Sequence, residues 1–400
     1  MAGWWRKRTY PIGVDLGGSS LKMMQLASRE GGLELVAAAR AEVPWEIRGQ
    51  PALLQEWYVE TVRELLAAKP FKGMKVVTCL PAREMLVQHL RLAKMDEEQL
   101  VKALPWEAQG KVPFDVHRAR LCHVVAGEVY DGSESKLEVI LLAASHSVVQ
   151  QHLSFIERTR LQVEAINVEP CALINCFAHL LEKEDPNHSA TMFIDLGHGG
   201  VKVVITHGAA MAFCRTISAG TEHLLRSISE RLGVEYGEAV RLHQQWASGG
   251  ATAGSAAVGG ARPAARAMNE GIVGGVRLGS GAATVVAEAE TRDPQTEVRE
   301  AAATAVRHLA EELRSCLRYH DLVFSGQPVV KAVFVGGQAK QTAYGEQLAR
   351  ALGLPAQLGD PLARILPDSR QGPHSDLTGG ERHCEWAVAF GLSLGGGGGR

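Results

Sequence analysis

The chain has 400 residues and a mass of 43.0 kDa, a length that accommodates about two to three domains. Its 42 basic and 44 acidic side chains give a formal charge of -2, which excludes the basic surplus that non-specific nucleic-acid binding needs. With 46% hydrophobic and 22% charged residues it reads as globular rather than disordered, and it holds no apolar run of about 18 residues that could span a membrane.

The opening MAGWWRKRTYP lacks the apolar stretch of a secretory signal. Trp4, Trp5, Arg6, Lys7 and Arg8 are expected to form a frayed terminus, because one short basic cluster holds lipid weakly. Strands are predicted over 9–14 and 21–27 around the turn DLGGSS, with a third over 33–40. A helical period covers 51–69. Residues 76–81 and 85–93 read as paired strands. Asp96 then caps a helix, with Gln99 placed for a capping box and Met95 and Leu100 for a hydrophobic staple. Pro105 is expected to kink that helix, and Gly110 to end it. Strands follow near 119–128 and 137–144, then a helix over 146–159, a strand over 163–169 and a helix over 170–181.

The opening pattern then returns as strand TMFI, turn DLGHGG and strand VKVVIT, with Asp195 lying 180 positions after Asp15. An internal duplication is the natural reading. Residues 221–246 read as helical, and 247–283 are Gly/Ala-rich with too few large apolar side chains to offset their ordering entropy. A long helix is predicted from Asp293-Pro294 to about His320, and a strand over 331–338 that ends in Gly336-Gly337. The tail GGGGGR is expected to be disordered. The seven cysteines are scattered, odd in number and without zinc spacing, as free thiols in a reducing compartment would be.

Three glycine-rich turns therefore follow apolar strands. Glycine lets backbone N–H groups approach a phosphate, and an aspartate at a strand end can hold a hydrated cation. Ser19, Ser20 and Lys22 add hydroxyl and ammonium donors. A dinucleotide fingerprint would need a helix after its turn; here a strand returns, and no GxxxxGK[ST] loop is present.

These residues resemble the actin-like ATPase superfamily, which includes actin, heat-shock chaperones, sugar kinases and FtsA. The two Asp-Leu-Gly hairpins are similar to its phosphate loops, and Val333–Gly337 to its adenosine-binding strand and turn. Val168-Glu169-Pro170 and AVAFGLS (387–393) resemble its two connecting segments. Within the superfamily the chain resembles the PilM family of cytoplasmic type IV pilus assembly proteins. The run LPAREMLVQHLRLAKMDEEQLVKALPWEAQGKVPFD carries that likeness, and the resemblance covers 10–246 and 295–394. His198 departs from the small or acidic residue usual in the second loop, and Pro105 interrupts the characteristic helix.

The resemblance implies an α/β, actin-like fold of two duplicated lobes with a small inserted α+β subdomain. The expected division is 9–75 for the first part of the first core subdomain and 76–145 for the insertion. It continues with 146–190 for the return to the first lobe and its connecting helix, and 191–246 with 294–385 for the second lobe. A Gly/Ala-rich insertion at 247–293, a closing helix at 386–394 and a disordered tail at 395–400 complete it. By the same resemblance Gly17, Gly18, Ser19, Ser20 and Lys22 cradle phosphates of ATP, opposite Gly197, Gly199 and Gly200. Asp15 and Asp195 face Mg²⁺ through water, and Gly336 and Gly337 abut the adenosine. Glu238 and Arg241 match a pair that contacts ribose and base, though a solvated surface pair is an equal reading. Glu169 is the candidate to polarise an attacking water, with a helix-capping carboxylate as the other reading.

The implied function is an ATP-binding scaffold at the inner face of the cytoplasmic membrane, in pilus, secretion or competence machinery, with slow or absent hydrolysis. Its partner would be the N-terminal peptide of a PilN-like inner-membrane protein, docked at the junction of the insertion and the first lobe, with Leu104, Trp106 and Phe114 as candidate pocket residues. Membrane association would come only through that partner, and self-association stays open. Two other readings also stay open: a sugar-kinase-like phosphotransferase, and a scaffold that has lost nucleotide.

Overall fold

The structure is a computed structural model that describes residues 8–253, 293–377 and 382–395. The first half begins with β1 (Thr9–Leu16), β2 (Ser20–Arg29), β3 (Gly32–Glu42), α1 (Pro51–Ala68) and β4 (Lys75–Cys79). It continues through β5 (Leu86–Ala93), α2 (Glu97–Ala108), β6 (Ala119–Asp131), β7 (Glu134–Ser145), α3 (His146–Arg158), β8 (Gln162–Asn167) and α4 (Glu169–Leu181). The second half holds β9 (Ala190–Leu196), β10 (Val201–His207), β11 (Ala210–Ile217), α5 (Thr221–Leu232) and α6 (Tyr236–Ala253). It ends with α7 (Pro294–Val323), β12 (Val329–Val335), α8 (Thr342–Leu352), β13 (Ala356–Leu358) and α9 (Ala387–Leu394).

Two five-stranded sheets share one topology. Their orders are β3-β2-β1-β4-β8 and β11-β10-β9-β12-β13. In each, a three-strand antiparallel meander adds two parallel strands on the side of its first strand. The fold is the duplicated actin-like α/β architecture. A third sheet, β5-β7-β6, carries α2 on a separate core that includes Leu90, Leu100, Leu104, Val139 and Leu141.

The reading of 76–81 and 85–93 as a strand pair is corrected. β4 lies between β1 and β8, parallel to both, and β5 pairs with β7. Val76, Val77, Thr78 and Cys79 are all buried, as a central parallel strand requires. The inserted unit thus begins after Cys79, later than the boundary at 76. The single helix expected over 221–246 is two, α5 and α6, because Gly233 takes a left-handed conformation at the end of α5. The α7 helix runs to Val323 rather than His320, and α6 extends to Ala253, into the start of the Gly/Ala-rich segment. The rest of that segment, the opening heptapeptide and the tail from Gly396 lie outside the described residues.

Local signals account for the helix starts. The Asp96 carboxylate accepts from the Gln99 backbone N–H, and the Gln99 side chain accepts from the Asp96 N–H, the expected capping box. α2 then continues through Pro105 to Ala108, with Gly110 at φ 76° just beyond it. Asp293 caps α7, with Pro294 at its first position. The last helix, α9, returns to the first lobe, where Ser393 Oγ bonds the Pro11 carbonyl from 2.9 Å. Trp386 and Phe390 are fully buried in a core shared with Phe177 of α4 and Phe193 of β9.

Candidate functional site

The C-terminal ends of β1, β4, β9 and β12 meet in one crevice between the lobes. Strand register builds its two halves alike. Asp15 on β1 is opposite Lys22 on β2, and Asp195 on β9 is opposite Lys202 on β10. Lys22 Nζ lies 3.0 Å from Asp15 Oδ2. Lys202 Nζ lies 2.9 Å from Glu169 Oε2 and 3.4 Å from Asp195 Oδ2. Glu169 reaches this point as the first residue of α4. Asp15 Oδ, Cys79 Sγ and Glu169 Oε all lie within 4.8 Å of one another.

The cluster is dry. Asp15 is 6% exposed and Asp195 4% exposed. Burial pushes the Glu169 carboxyl above its ordinary range, with Lys202 opposing and Asp195 reinforcing the shift. Burial also works against the Lys202 charge, but the Glu169 and Asp195 carboxylates outweigh it and hold the ammonium strongly protonated. The Cys79 thiol is pushed well up by burial and by the surrounding carboxylates, so it stays protonated. Asp15, Asp195 and Glu169 set carboxyl oxygens around two ammonium groups in a low-dielectric crevice, an oxygen donor set that suits a hard divalent cation.

The glycine turns form the walls. The Gly17 carbonyl accepts from Tyr58 Oη at 3.0 Å, the Ser19 carbonyl accepts from the Val43 N–H, and Ser20 is buried at the start of β2. Gly18 faces His198 across the crevice, where a Cβ would stand 3.1 Å from His198 Cδ2. On the second loop Gly197 and Gly200 are tightly enclosed, whereas Gly199 is exposed with open space beside it. Gly336 adopts φ 90°, and a Cβ there would fall 2.3 Å from Asp195 Oδ1. Only glycine lets β12 end so close to the carboxylate. Gly337 is exposed and opens a 3-10 turn to Lys340.

A cavity of about 190 Å³ adjoins the second loop. Gly197, Gly220 and Thr221 border it on one side, Ala301 and Ala305 of α7 on another, and Gln338 and Gln341 after the Gly-Gly turn on a third. Glu238 and Arg241 are not among its lining residues. They bond each other at 2.6 Å, with the Arg241 side chain 66% exposed, while His243 of the same helix lines the cavity. Of the proposed partner-pocket residues, Leu104 is buried in the core of the inserted unit and Phe114 packs against that core. Trp106 is 72% exposed, and Val101 of the same helix is 54% exposed.

Sequence reasoning missed Lys202, Cys79 and Gly220. The signal for Lys202 was available, because it follows Asp195 by the seven positions that separate Lys22 from Asp15. Cys79 and Gly220 carried no comparable signal. Their roles depend on which strand ends and loops the fold brings together.

The family model described as type IV pilus assembly protein PilM matches residues 13–248. Among solved structures, the PilM-PilN type IV pilus biogenesis complex superposes with a TM-score of 0.71 at 17% identity, over 97% of this chain and 98% of that one. The ethanolamine utilization protein EutJ from Carboxydothermus hydrogenoformans gives 0.45 at 13% identity, over 96% and 89%. The cytoplasmic domain of EpsL, from the type II secretion system of Vibrio cholerae, gives 0.35 at 13% identity, over 53% and 72%. No curated protein sequence matches the chain. The likeness to the PilM-PilN complex concerns the fold, while the family model spans more than half of the sequence. The chain belongs to the type IV pilus assembly protein PilM family.

Proposed function

We propose that this chain is a nucleotide-binding scaffold of type IV pilus or related assembly machinery, working at the cytoplasmic face of the inner membrane. The observation that carries this reading is the repeated Asp–Lys pair at the inner ends of β1/β2 and β9/β10, closed by Glu169 from the connecting helix.

The residues present fit Mg²⁺-ATP. Backbone N–H groups of 17–20 and 198–200, with Lys22 and Lys202, would hold the phosphates. Asp15 and Asp195 would face the cation through water, their carboxylates being the hard oxygen groups at the two strand ends. The cavity between Gly197 and Gln341 would take the nucleoside end. When bound, Mg²⁺-ATP would supply charge that bridges the two lobes. Each ammonium has three N–H donors, so the lysines would add phosphate oxygens, comparable charge-assisted acceptors, while keeping their carboxylate partners.

Hydrolysis is proposed to be slow or absent. Asp15, Asp195 and Glu169 are each engaged by a lysine, so none is free to take a proton from an attacking water or an acceptor hydroxyl. Steady multiple turnover by the purified chain would favour the phosphotransferase reading instead.

The proposed partner is an extended N-terminal peptide of a PilN-like inner-membrane protein, held where the inserted unit meets the first lobe. Trp106 supports this as an exposed aromatic on the unit that sequence reasoning linked to the partner. Calorimetric titration with a synthetic PilN-like N-terminal peptide tests it. Binding weakened by Trp106→Ala is expected, and no binding with or without Mg²⁺-ATP would contradict it.

A further inference from the structure

His198 is the one large side chain in either glycine turn. It is third after Asp195, the place that Gly18 holds after Asp15. The two positions face each other, and the His198 ring fills the gap beside Gly18, with Cδ2 3.1 Å from where a Cβ on Gly18 would lie. The Nε2 atom, next to Cδ2 in the ring, is buried and has no hydrogen-bond partner among the described residues. A buried polar nitrogen left unpaired costs stability, so an atom so placed points to a group that arrives later.

The surroundings define what that group is. Burial, with Arg48 and Arg226 nearby and Glu222 opposing them, lowers the His198 pKa to about 4, so the ring is neutral near pH 7. A neutral imidazole can donate through Nε2 to an oxygen that only accepts. Lys22 and Lys202 stand on β2 and β10, against the carboxylates. The ring belongs to the turn between β9 and β10 and faces the turn between β1 and β2, so a phosphate chain entering between the two turns would meet it.

We infer that His198 determines specificity for the terminal phosphate: its Nε2–H donates to the outermost phosphate of a nucleoside triphosphate, so the cleft prefers triphosphate to diphosphate. Gly18 leaves room opposite, where a Cβ would press on the ring from 3.1 Å. This rests on the nucleotide reading above and deepens it.

The test is calorimetric titration of the full chain with Mg²⁺-ATP and with Mg²⁺-ADP, for wild type, His198→Ala and His198→Gln. Losing a hydrogen bond to a charged acceptor should weaken triphosphate binding about tenfold or more in His198→Ala, with diphosphate binding changed by less than about twofold. His198→Gln, which keeps an N–H donor, should recover part of the loss. Thermal unfolding of the ligand-free variants checks that they fold. Tighter triphosphate binding by His198→Ala would overturn the inference, because the ring would then be an obstruction. An equal loss for both nucleotides would overturn it too, because the ring would then only brace the loop. Wild type that binds neither nucleotide would remove the nucleotide reading itself, an outcome distinct from the other two.

Discussion

Lys202 lies where the lobes meet, and its ammonium group neutralises two carboxylates from different elements. Removing one member of a buried ion cluster leaves the others uncompensated, at a cost of about 3–5 kcal/mol. Lys202→Met is therefore expected to lower unfolding free energy by about that amount in urea titration. An unchanged midpoint would mean the cluster is wetter than its burial indicates. A second residue-scale expectation concerns acid. His207 Nε2 and His320 Nε2 lie 2.9 Å apart in a buried pair against Phe324. Burial, helped by His320, lowers the His207 pKa from 6.5 to about 4, so the folded chain holds it neutral where the unfolded chain protonates it. Its contribution is complete above about pH 6.5 and falls as pH drops from there to about 4. The melting temperature of His207→Gln should fall less steeply than wild type between pH 7 and 5; parallel slopes would contradict this. At this scale the strand-end places of Asp15 and Asp195 were legible, because strand–turn–strand spacing fixes which side chains end a strand, and Val168-Glu169-Pro170 read as a strand-to-helix junction. Glu238 and Arg241 show the opposite case. Three residues apart on a helix, they face the same way, but spacing cannot say whether that way is the cleft or solvent.

Among the elements, α9 and α4 pack most closely at Gly391. A Cβ there would lie 1.8 Å from the Ala172 carbonyl oxygen, so the helices cross backbone to backbone. Gly391→Ala must push them apart and should cost more than about 3 kcal/mol. Asp96→Ala loses one capping carboxylate on an exposed turn and should cost about 1 kcal/mol. Equal effects of the two substitutions in thermal unfolding would show that neither contact works as described. Helix starts were legible because caps are local: Asp96, Asp293 and Pro170 mark theirs directly. The partnership of β4 was not. A short link from Leu80 to Met85 looks like a hairpin connection, yet it holds a 3-10 turn that carries the chain out of one sheet and into another. Burial of four consecutive β4 residues was the better guide, because a hairpin strand with a solvent face alternates.

Across the whole molecule the inserted unit also touches the second lobe, through Glu138. This fully buried carboxylate on β7 accepts from Arg91 Nε at 3.2 Å and from the Tyr319 hydroxyl of α7, and it lies 3.2 Å from His89 Nδ1. His89 Nε2 in turn donates to the Cys214 carbonyl of β11, 3.1 Å away. A unit inserted in one lobe is thus tied to the other, a route by which the state of the crevice would bias the partner surface proposed around Trp106. Glu138→Gln should raise amide hydrogen exchange along β5 and β11 while leaving β1 and β2 protected; uniform exchange would mean the node is not local. The duplication was legible because it repeats a motif. This tie was not, since it joins residues from both lobes that no spacing relates.

The function proposed for this chain requires the Asp–Lys crevice to bind Mg²⁺-nucleotide. Thermal unfolding with and without Mg²⁺-ATP, in wild type and Asp15→Ala, tests it most directly. Nucleotide at about a hundredfold excess over its dissociation constant should add about 2.7 kcal/mol, several degrees for a chain of this size. That shift is expected in wild type and should be lost in Asp15→Ala. No shift in wild type, from protein shown by extraction to carry no bound nucleotide, would contradict it.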